Sequence, residues 1–419
     1  MSFPKFNRQR HSISSLRLRD TVTITGRIVA VDTIKDASGS INFSTPDFST
    51  QTGDIVALTG HLTPTGFSAQ HLTLLVRPEQ WPTAPSISAR ALTARHKLLS
   101  QSRRFFEDLG FLEVETPMLV HSPGTDPYLE TFTTMFSGMG DAKPAPLFLH
   151  TSPEFAMKAL LVDGFEQIFQ ICKVFRNGEW TPLHNPEFTM IEWYRAFTDQ
   201  SAMMHDVEAL VCHLLGDAVL WKDLTIPLSR PFERLPVRDA FLTHCRGLDL
   251  FEANCASSLR AEAERLGLGP LAPGDRWDDL FHELLVTWVE PNLGFERPTF
   301  LTEYPAPLAV LSRRSDSDPR VAERFELYIA GLELCNGFTE LNDPNEQRLR
   351  FEEDLHRRAQ LNLPAYPMPE HFLDALKAGM PPSSGVAVGF DRLLMLATNQ
   401  HDLGLTMVRT ISSTLDPSR

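Results

Sequence analysis

Residues 175–194 read FRNGEWTPLHNPEFTMIEWY, and this stretch decides how the rest of the chain is read. Arg176 comes first, Gly178 and Pro182 punctuate a loop, and a hydrophobic run then carries Glu192 and Tyr194 at alternating positions. Strand, loop, strand is the simplest fit to that pattern. An arginine can fork onto phosphate or carboxylate oxygens, His184 can add a donor, and the ring of Phe188 can stack under a base. Two opposite kinds of charge around aromatic residues in one short segment predict a nucleotide site.

Three further segments are read with it: GFLEVETPMLV (110–120), RFELYIAGLELCNGFTELND (324–343) and SSGVAVGFDRLLML (383–396). With them the chain resembles the class II aminoacyl-tRNA synthetases. Residues 175–194 resemble motif 2, and the HNPEFTM-x-E-x-Y ending is similar to the lysyl branch. Residues 110–120 resemble motif 1, with Pro117 at its dimer-interface proline, and residues 383–396 resemble motif 3 through Gly385, Gly389, Asp391 and Arg392. Residues 324–343 resemble the lysyl family's metal and amino-acid segment. The HIGH and KMSKS patterns of the class I synthetases are absent from the sequence. The resemblance implies an α+β fold, with an antiparallel sheet flanked by helices over 85–419.

At 419 residues and 47.2 kDa the chain is long enough for a large core and two or three domains. The basic start, MSFPKFNRQRHSISSLRLRD, has no apolar run, which predicts a cytoplasmic protein with neither a secretory signal nor a membrane span. Cys172, Cys212, Cys245, Cys255 and Cys335 form no CxxC pair, which argues for reduced thiols rather than a zinc site or disulfide framework. A net charge of −14 argues against broad, non-specific RNA binding, because that depends on phosphate neutralisation and an acidic protein must concentrate its basic residues locally to achieve it. It leaves a specific tRNA open.

Between 21 and 77, Val22, Ile24 and Ile28, then Val56, Leu58 and Leu62, then Leu72 and Leu74 alternate, with Gly and Pro between them. The pattern predicts a small β domain over 1–84. VTITGRIVAVD and TGDIVALTGHL resemble a shortened anticodon-binding OB barrel, with the material between Asp32 and Thr52 cut down; a vestigial or protein-binding module fits equally. RPEQWPTAP (77–85) reads as a linker, and Leu98, Leu99, Phe105, Phe106 and Leu109 as a helix stopped at Gly110. Residues 201–274 read as a helical segment with little chemistry.

The resemblance implies ATP-dependent activation of an amino acid as its adenylate. It places Arg176 on the α-phosphate and the substrate carboxylate, Phe188 and Arg392 on either side of the adenine, and His184 in the loop over the triphosphate. Gly389 falls in the ATP site. Family members often carry Glu where Gly178 stands, so the adenine contact passes to Glu179 or to backbone. Glu326 and Glu333 match the pair that holds ATP-bound Mg²⁺, which suits a hard cation; a solvated acidic face is the alternative. Glu154 matches the residue that meets the backbone-side amine, and Glu340, Tyr194 and Glu192 match those around a side-chain ammonium. Asn336 and Phe338 match further pocket positions. Each ammonium taken from water needs a carboxylate or several acceptors, so lysine or a lysine isomer is the implied substrate.

HSPGTDPYLETFTT, FQICKVFRNGE, GMPPSSGVAVG and RRAQLNLPAYPMP are similar to the elongation factor P lysine ligases, paralogues of the synthetase catalytic domain that attach (R)-β-lysine to a lysine of elongation factor P. This resemblance covers about 90–410. Ala387 is its sharpest mark, since synthetases carry Gly there and the ligases Ala; a packing role for the methyl is the alternative. The ligases typically lack an N-terminal barrel, so that domain is an addition. Elongation factor P is then the implied acceptor and a homodimer the implied assembly, with α-lysine or (R)-β-lysine as donor. A compact lysyl-tRNA synthetase, with Phe43 and Phe48 as candidate stacking residues in the barrel, and a non-catalytic binding protein are the competing readings.

Overall fold

In the computed structural model, which describes residues 10–17, 21–30, 32–36, 38–44, 50–78, 89–138 and 143–407, the alternation of the N-terminal segment folds as strands. The chain divides into two units, Met1–Thr93 and Ala94–Arg419. The expected boundary at 84/85, most of the linker and Phe48 lie outside the described residues.

The first unit carries β1 (Arg10–His11), β2 (Thr21–Ala30), β3 (Thr33–Asp36), β4 (Gly39–Ser44), β5 (Ile55–Thr63) and β6 (Gly66–Val76). They pair in the order β1-β2-β3-β4-β6-β5, and β2 also pairs with β5, so the ladder returns to β2. The inward positions Ile24, Ile28, Ile34, Phe43, Val56, Leu58 and Phe67 make a small core. Phe43 is 8% exposed and gives no stacking platform for RNA.

Helix α1 (Ala89–Asp108) ends where sequence placed its stop: Gly110 sits at φ +80, a conformation glycine adopts without strain. Phe106, fully buried, stacks on Phe169 with ring centroids 4.6 Å apart. The second unit is built on an eight-stranded sheet in the order β15-β16-β17-β18-β19-β12-β11-β7. These are β7 (Leu112–Glu113), β11 (Gln167–Phe175), β12 (Glu187–Ala196), β15 (Glu233–Pro236), β16 (Thr299–Pro305), β17 (Val321–Ile329), β18 (Leu332–Thr339) and β19 (Ser383–Gly389). Its six central strands are antiparallel, while the edge strands β15 and β7 pair in parallel. A second sheet pairs β8 (Leu119–Val120), β10 (Ala145–Leu149) and β9 (Thr133–Phe136) in that order, its strands falling between β7 and β11 in the chain.

One face of the large sheet is covered by α3 (Gln200–Leu215) and α9 (Phe390–Thr398), with Ile191, Trp193, Phe325, Leu327, Val386 and Val388 buried beneath them. Because strand side chains alternate, their neighbours Glu192, Tyr194, Glu326 and Ala387 face the other way. That face is flanked by α2 (Glu154–Val162), α7 (Pro344–Gln360) and α8 (Glu370–Gly379), which pack together around Phe155, Phe351 and Phe372. The reading of 201–274 as helical is corrected in part. After α3 come a hairpin of β13 (Ala218–Trp221) and β14 (Leu224–Pro227) and the sheet edge β15, before α4 (Val237–His244), α5 (Ala256–Arg265) and α6 (Trp277–Leu284). Strands of four residues are too short for their alternation to register in sequence.

Candidate active site

The register of the central strands assembles the site. Glu192 on β12 pairs with Ala387 on β19, Ala387 pairs on its other side with Asn336 on β18, and Asn336 pairs with Glu326 on β17. Four residues from four strands therefore stand in one row. Tyr194, Gly385 and Phe338 form the next row. Gly385 is required there: a Cβ would lie 2.3 Å from the Tyr194 ring and 2.6 Å from Glu340 Oε1. Over these rows opens a cleft of about 440 Å³. All fifteen candidate residues named from sequence line it, Arg176, Glu179, His184, Phe188 and Gly389 included.

One end of the cleft is cationic. Arg176 follows β11 in a turn held by its own N–H donating to the Pro186 carbonyl at 2.9 Å and by Asn177 N–H donating to Glu130 O at 2.9 Å. Its guanidinium carbon is 5.2 Å from the Phe188 ring centroid, and Nη1 is 3.9 Å from Glu179. Arg176 Nε is buried and has no hydrogen-bond partner in the protein, an unmet donor suited to a phosphate or carboxylate oxygen. Gly178, at φ +82 with nothing within 4 Å of a notional Cβ, leaves Glu179 as the nearby acid of this loop that lines the cleft. Arg392 donates through Nη1 to the Glu333 carbonyl at 2.6 Å and carboxylate at 3.3 Å, and through Nη2 to His184 Nε2 at 2.7 Å. Burial, then the charges of Arg392 and Arg176, push the His184 pKa down to about 4, so the ring is neutral. Beneath, Asp391 accepts from the Thr189 N–H at 2.6 Å and pairs with Arg95, tying α9 to β12.

Glu326 and Glu333 flank the turn between β17 and β18. Glu326 Oε2 accepts from Tyr304 at 2.5 Å and Tyr328 at 2.7 Å, and Oε1 accepts from Arg324 at 2.7 Å. Burial and the Glu326 charge raise the Glu333 pKa against the pull of Arg392 and Arg176. Nearby Glu290 is pushed up to about 7 by burial and by these two carboxylates. Such crowding favours a cation. Among the described residues no group of three or more His, Cys, Asp or Glu is placed to hold a metal by itself. Two carboxylates that share an ion with phosphate oxygens and water are the donor set Mg²⁺ takes, so the residues fit it.

The other end is anionic. Glu192 Oε1 accepts from Tyr194 OH at 2.6 Å and Oε2 from Ser152 Oγ at 2.7 Å. Burial, then the Glu154 charge, raises Glu192 to about 7, and burial raises Glu340 to about 8 although Lys158 pulls it down. Lys158, 1% exposed, lies 2.5 Å from Glu154 and forms an ion pair with Glu340. Sequence reading passed over Lys158, although TSPEFAMK places it four residues after Glu154, the spacing of a helical ion pair. It also passed over Arg324, Tyr304 and Ser152, which carry no pattern of their own.

Residues 83–407 match the tRNA synthetases class II (D, K and N) family, and the chain belongs to it. It is a ligase of the class II synthetase kind. Among its relatives, the elongation factor P–(R)-β-lysine ligase of Erwinia tasmaniensis is 45% identical over 329 residues, 78% of this chain and 97% of that protein. The protein of the same name from Pectobacterium carotovorum subsp. carotovorum is 44% identical over 320 residues, 76% of this chain and 94% of that protein. That of Salmonella typhi is 43% identical over 328 residues, 78% of this chain and 97% of that protein.

Proposed function

We propose that this protein activates (R)-β-lysine, or lysine, with ATP as the aminoacyl-adenylate and transfers the aminoacyl group to a lysine side chain of elongation factor P. The observation that carries the reading is one cleft with two opposed poles, Arg176 with Arg392 at one end and Glu154, Glu192 and Glu340 at the other. A diamino acid has one carboxylate and two ammonium groups, and it fits that polarity end to end.

The substrate carboxylate oxygen attacks the α-phosphorus of ATP and pyrophosphate leaves. Arg176 spans the two anions that must meet, and Phe188 offers its ring to the adenine. Neutral His184, held by Arg392, accepts from that arginine and adds no charge that would repel it. Mg²⁺ at Glu326 and Glu333 would screen the phosphate charge. The acceptor amine then attacks the acyl carbon, AMP leaves, and the amine gives up a proton as the amide forms. The names of the relatives support the donor and the acceptor.

Exposed Leu112, Met118 and Leu119 lie within five residues of Pro117, exposed Met135 and Phe136 lie on β9 of the same small sheet as Leu119, and we assign these apolar residues to a two-fold homodimer interface. The returning ladder of the first unit supports an OB-like barrel. No helix among the described residues is long and apolar enough to cross a membrane, and we place the protein in the cytoplasm with its acceptor. Charging of tRNA is disfavoured by buried Phe43. The test is to incubate the protein with ATP, Mg²⁺ and (R)-β-lysine or lysine, together with elongation factor P and tRNA, and to follow both by mass. Mass gain on elongation factor P is expected; efficient charging of tRNA with elongation factor P unchanged would overturn the proposal.

A further inference from the structure

Lys158 occupies an unusual position for a lysine. It projects from the inner face of α2 and is 1% exposed, with Nζ 5.1 Å from the Phe338 ring centroid and 5.7 Å from that of Phe372. Its charged partners are Glu154, one turn back on its own helix, and Glu340 beyond the end of β18. Glu192 from β12 also acts on it through space. Tyr194, the remaining titratable group here, is kept protonated by burial and the surrounding carboxylates. With its acids ionised, as a bound ammonium would hold them, the anionic pole sets three carboxylates against one ammonium, which leaves two negative charges for the ligand to meet. Glu340 Oε1 is buried with no hydrogen-bond partner in the protein. Arg324 brings no compensation, because it is committed to Glu326 at 2.7 Å.

We propose that Lys158 is a built-in counter-cation that fixes the free charge of this pole at two, so that the cleft selects amino acids bearing two ammonium groups. This rests on reading the cleft as a diamino-acid site. An amino acid with a single ammonium would leave a buried carboxylate unpaired, and a ligand with a third cation would exceed the acids available. Lys158 acts through Glu154 and Glu340, so it is a positioning residue. Without it these two carboxylates repel more strongly, and Glu340, already raised by burial, loses the pull that lowers its pKa and holds its proton against the substrate ammonium.

The experiment is a double-mutant cycle with Lys158→Met and Glu340→Gln, read as KM and kcat in diamino-acid-dependent pyrophosphate exchange and as the rise in Tm caused by the diamino acid alone. Each single substitution is expected to raise KM at least about tenfold with a much smaller change in kcat. Glu340→Gln added to Lys158→Met is expected to cost less than about threefold more, since the glutamine imitates the protonated acid already present. In Lys158→Ala, ethylammonium restores the Tm rise and ethanol does not. If the two losses add in full, or if ethanol restores as well as ethylammonium, Lys158 only fills space and the proposal falls. Should Lys158→Ala fail to fold, the cycle decides alone. A wild-type protein that shows neither exchange nor a Tm rise with any diamino acid would overturn the diamino-acid reading itself, an outcome distinct from additivity among the variants.

Discussion

Arg392 Nη2 and His184 Nε2 lie 2.7 Å apart, and since the guanidinium can only donate, the imidazole must accept. Its proton is then on Nδ1, 2.8 Å from Thr181 Oγ1. This pair couples the motif 2 loop to α9 across the cleft, with the histidine serving as a neutral acceptor.

The His184 pKa therefore has a consequence for stability. It falls from the ordinary 6.5 to about 4, with burial as the main cause. Between those values the unfolded chain binds a proton that the native protein does not, so stability is lost as pH falls through that window. His184→Gln keeps an acceptor and removes the titration. Its Tm should drop less than that of the wild type between pH 7 and pH 5, and KM for ATP should rise by about tenfold at neutral pH through the loosened Arg392. Parallel Tm losses in the two proteins would contradict this.

Glu192 and Glu340 behave in the opposite sense. Their pKa values are raised to about 7 and about 8, burial being the largest cause for both. A native state that binds more protons than the unfolded chain loses stability as pH rises from the ordinary 4.5 through those values. The ionised carboxylates are what a substrate ammonium needs. KM for the diamino acid should therefore fall as pH rises from 6 to 8, and the Tm gain it confers should grow over the same range. Thermal shifts with and without the diamino acid at both pH values check this, and a gain that shrinks towards pH 8 would count against it.

Much of the site could be read from residue parity. Phe188, Glu192 and Tyr194 share one parity in a strand, as do Gly385, Ala387 and Gly389, and as do Asn336, Phe338 and Glu340, so the alternation of a strand turns each set to one face. What parity cannot supply is the order of strands that brings β12, β19, β18 and β17 side by side. The resemblance to known synthetases named the residues that would meet and an antiparallel sheet, while the order itself is visible only in the folded chain. Lys158 escaped because a Glu and Lys four residues apart in a helix ordinarily make a solvated surface pair, and only the packing of α2 beside α8 turns this one inward. Tyr304 and Glu290 escaped because they reach Glu326 and Tyr328 from 22 and 38 residues away. The closing pairing of β2 with β5 is likewise non-local, whereas the alternation within each strand was plain.

The two acids proposed to hold Mg²⁺ should differ when altered. Glu333→Gln removes a charge that is bound mainly by Arg392 at 3.3 Å, so pyrophosphate exchange should fall at least about tenfold, recover in part at higher Mg²⁺, and leave Tm nearly unchanged. Glu326→Gln should show the same kinetic loss and also a lower Tm. Arg324 and Glu326 form a buried pair, and breaking such a pair costs about 3–5 kcal/mol when one charge is left alone. Full activity in both variants would mean that the acids hold no metal.

Ala387 stands between Glu192 and Asn336 in the row of cleft residues, and it lines the cleft. A β-amino acid carries its amine one carbon further from the carboxylate than an α-amino acid does, so a cleft that holds the carboxylate at Arg176 must accommodate that shift near the middle of the row. A methyl group is about that size. Discrimination by one methylene is worth roughly 1–3 kcal/mol, so Ala387→Gly should move preference from (R)-β-lysine towards α-lysine by about tenfold or more in kcat/KM for adenylate formation. If the methyl only packs the central strand, the glycine will instead lower Tm, through the backbone entropy it adds to the unfolded chain, and leave the ratio alone. Measuring both isomers with both proteins separates the two roles, and an unchanged ratio would remove Ala387 as a determinant of the donor.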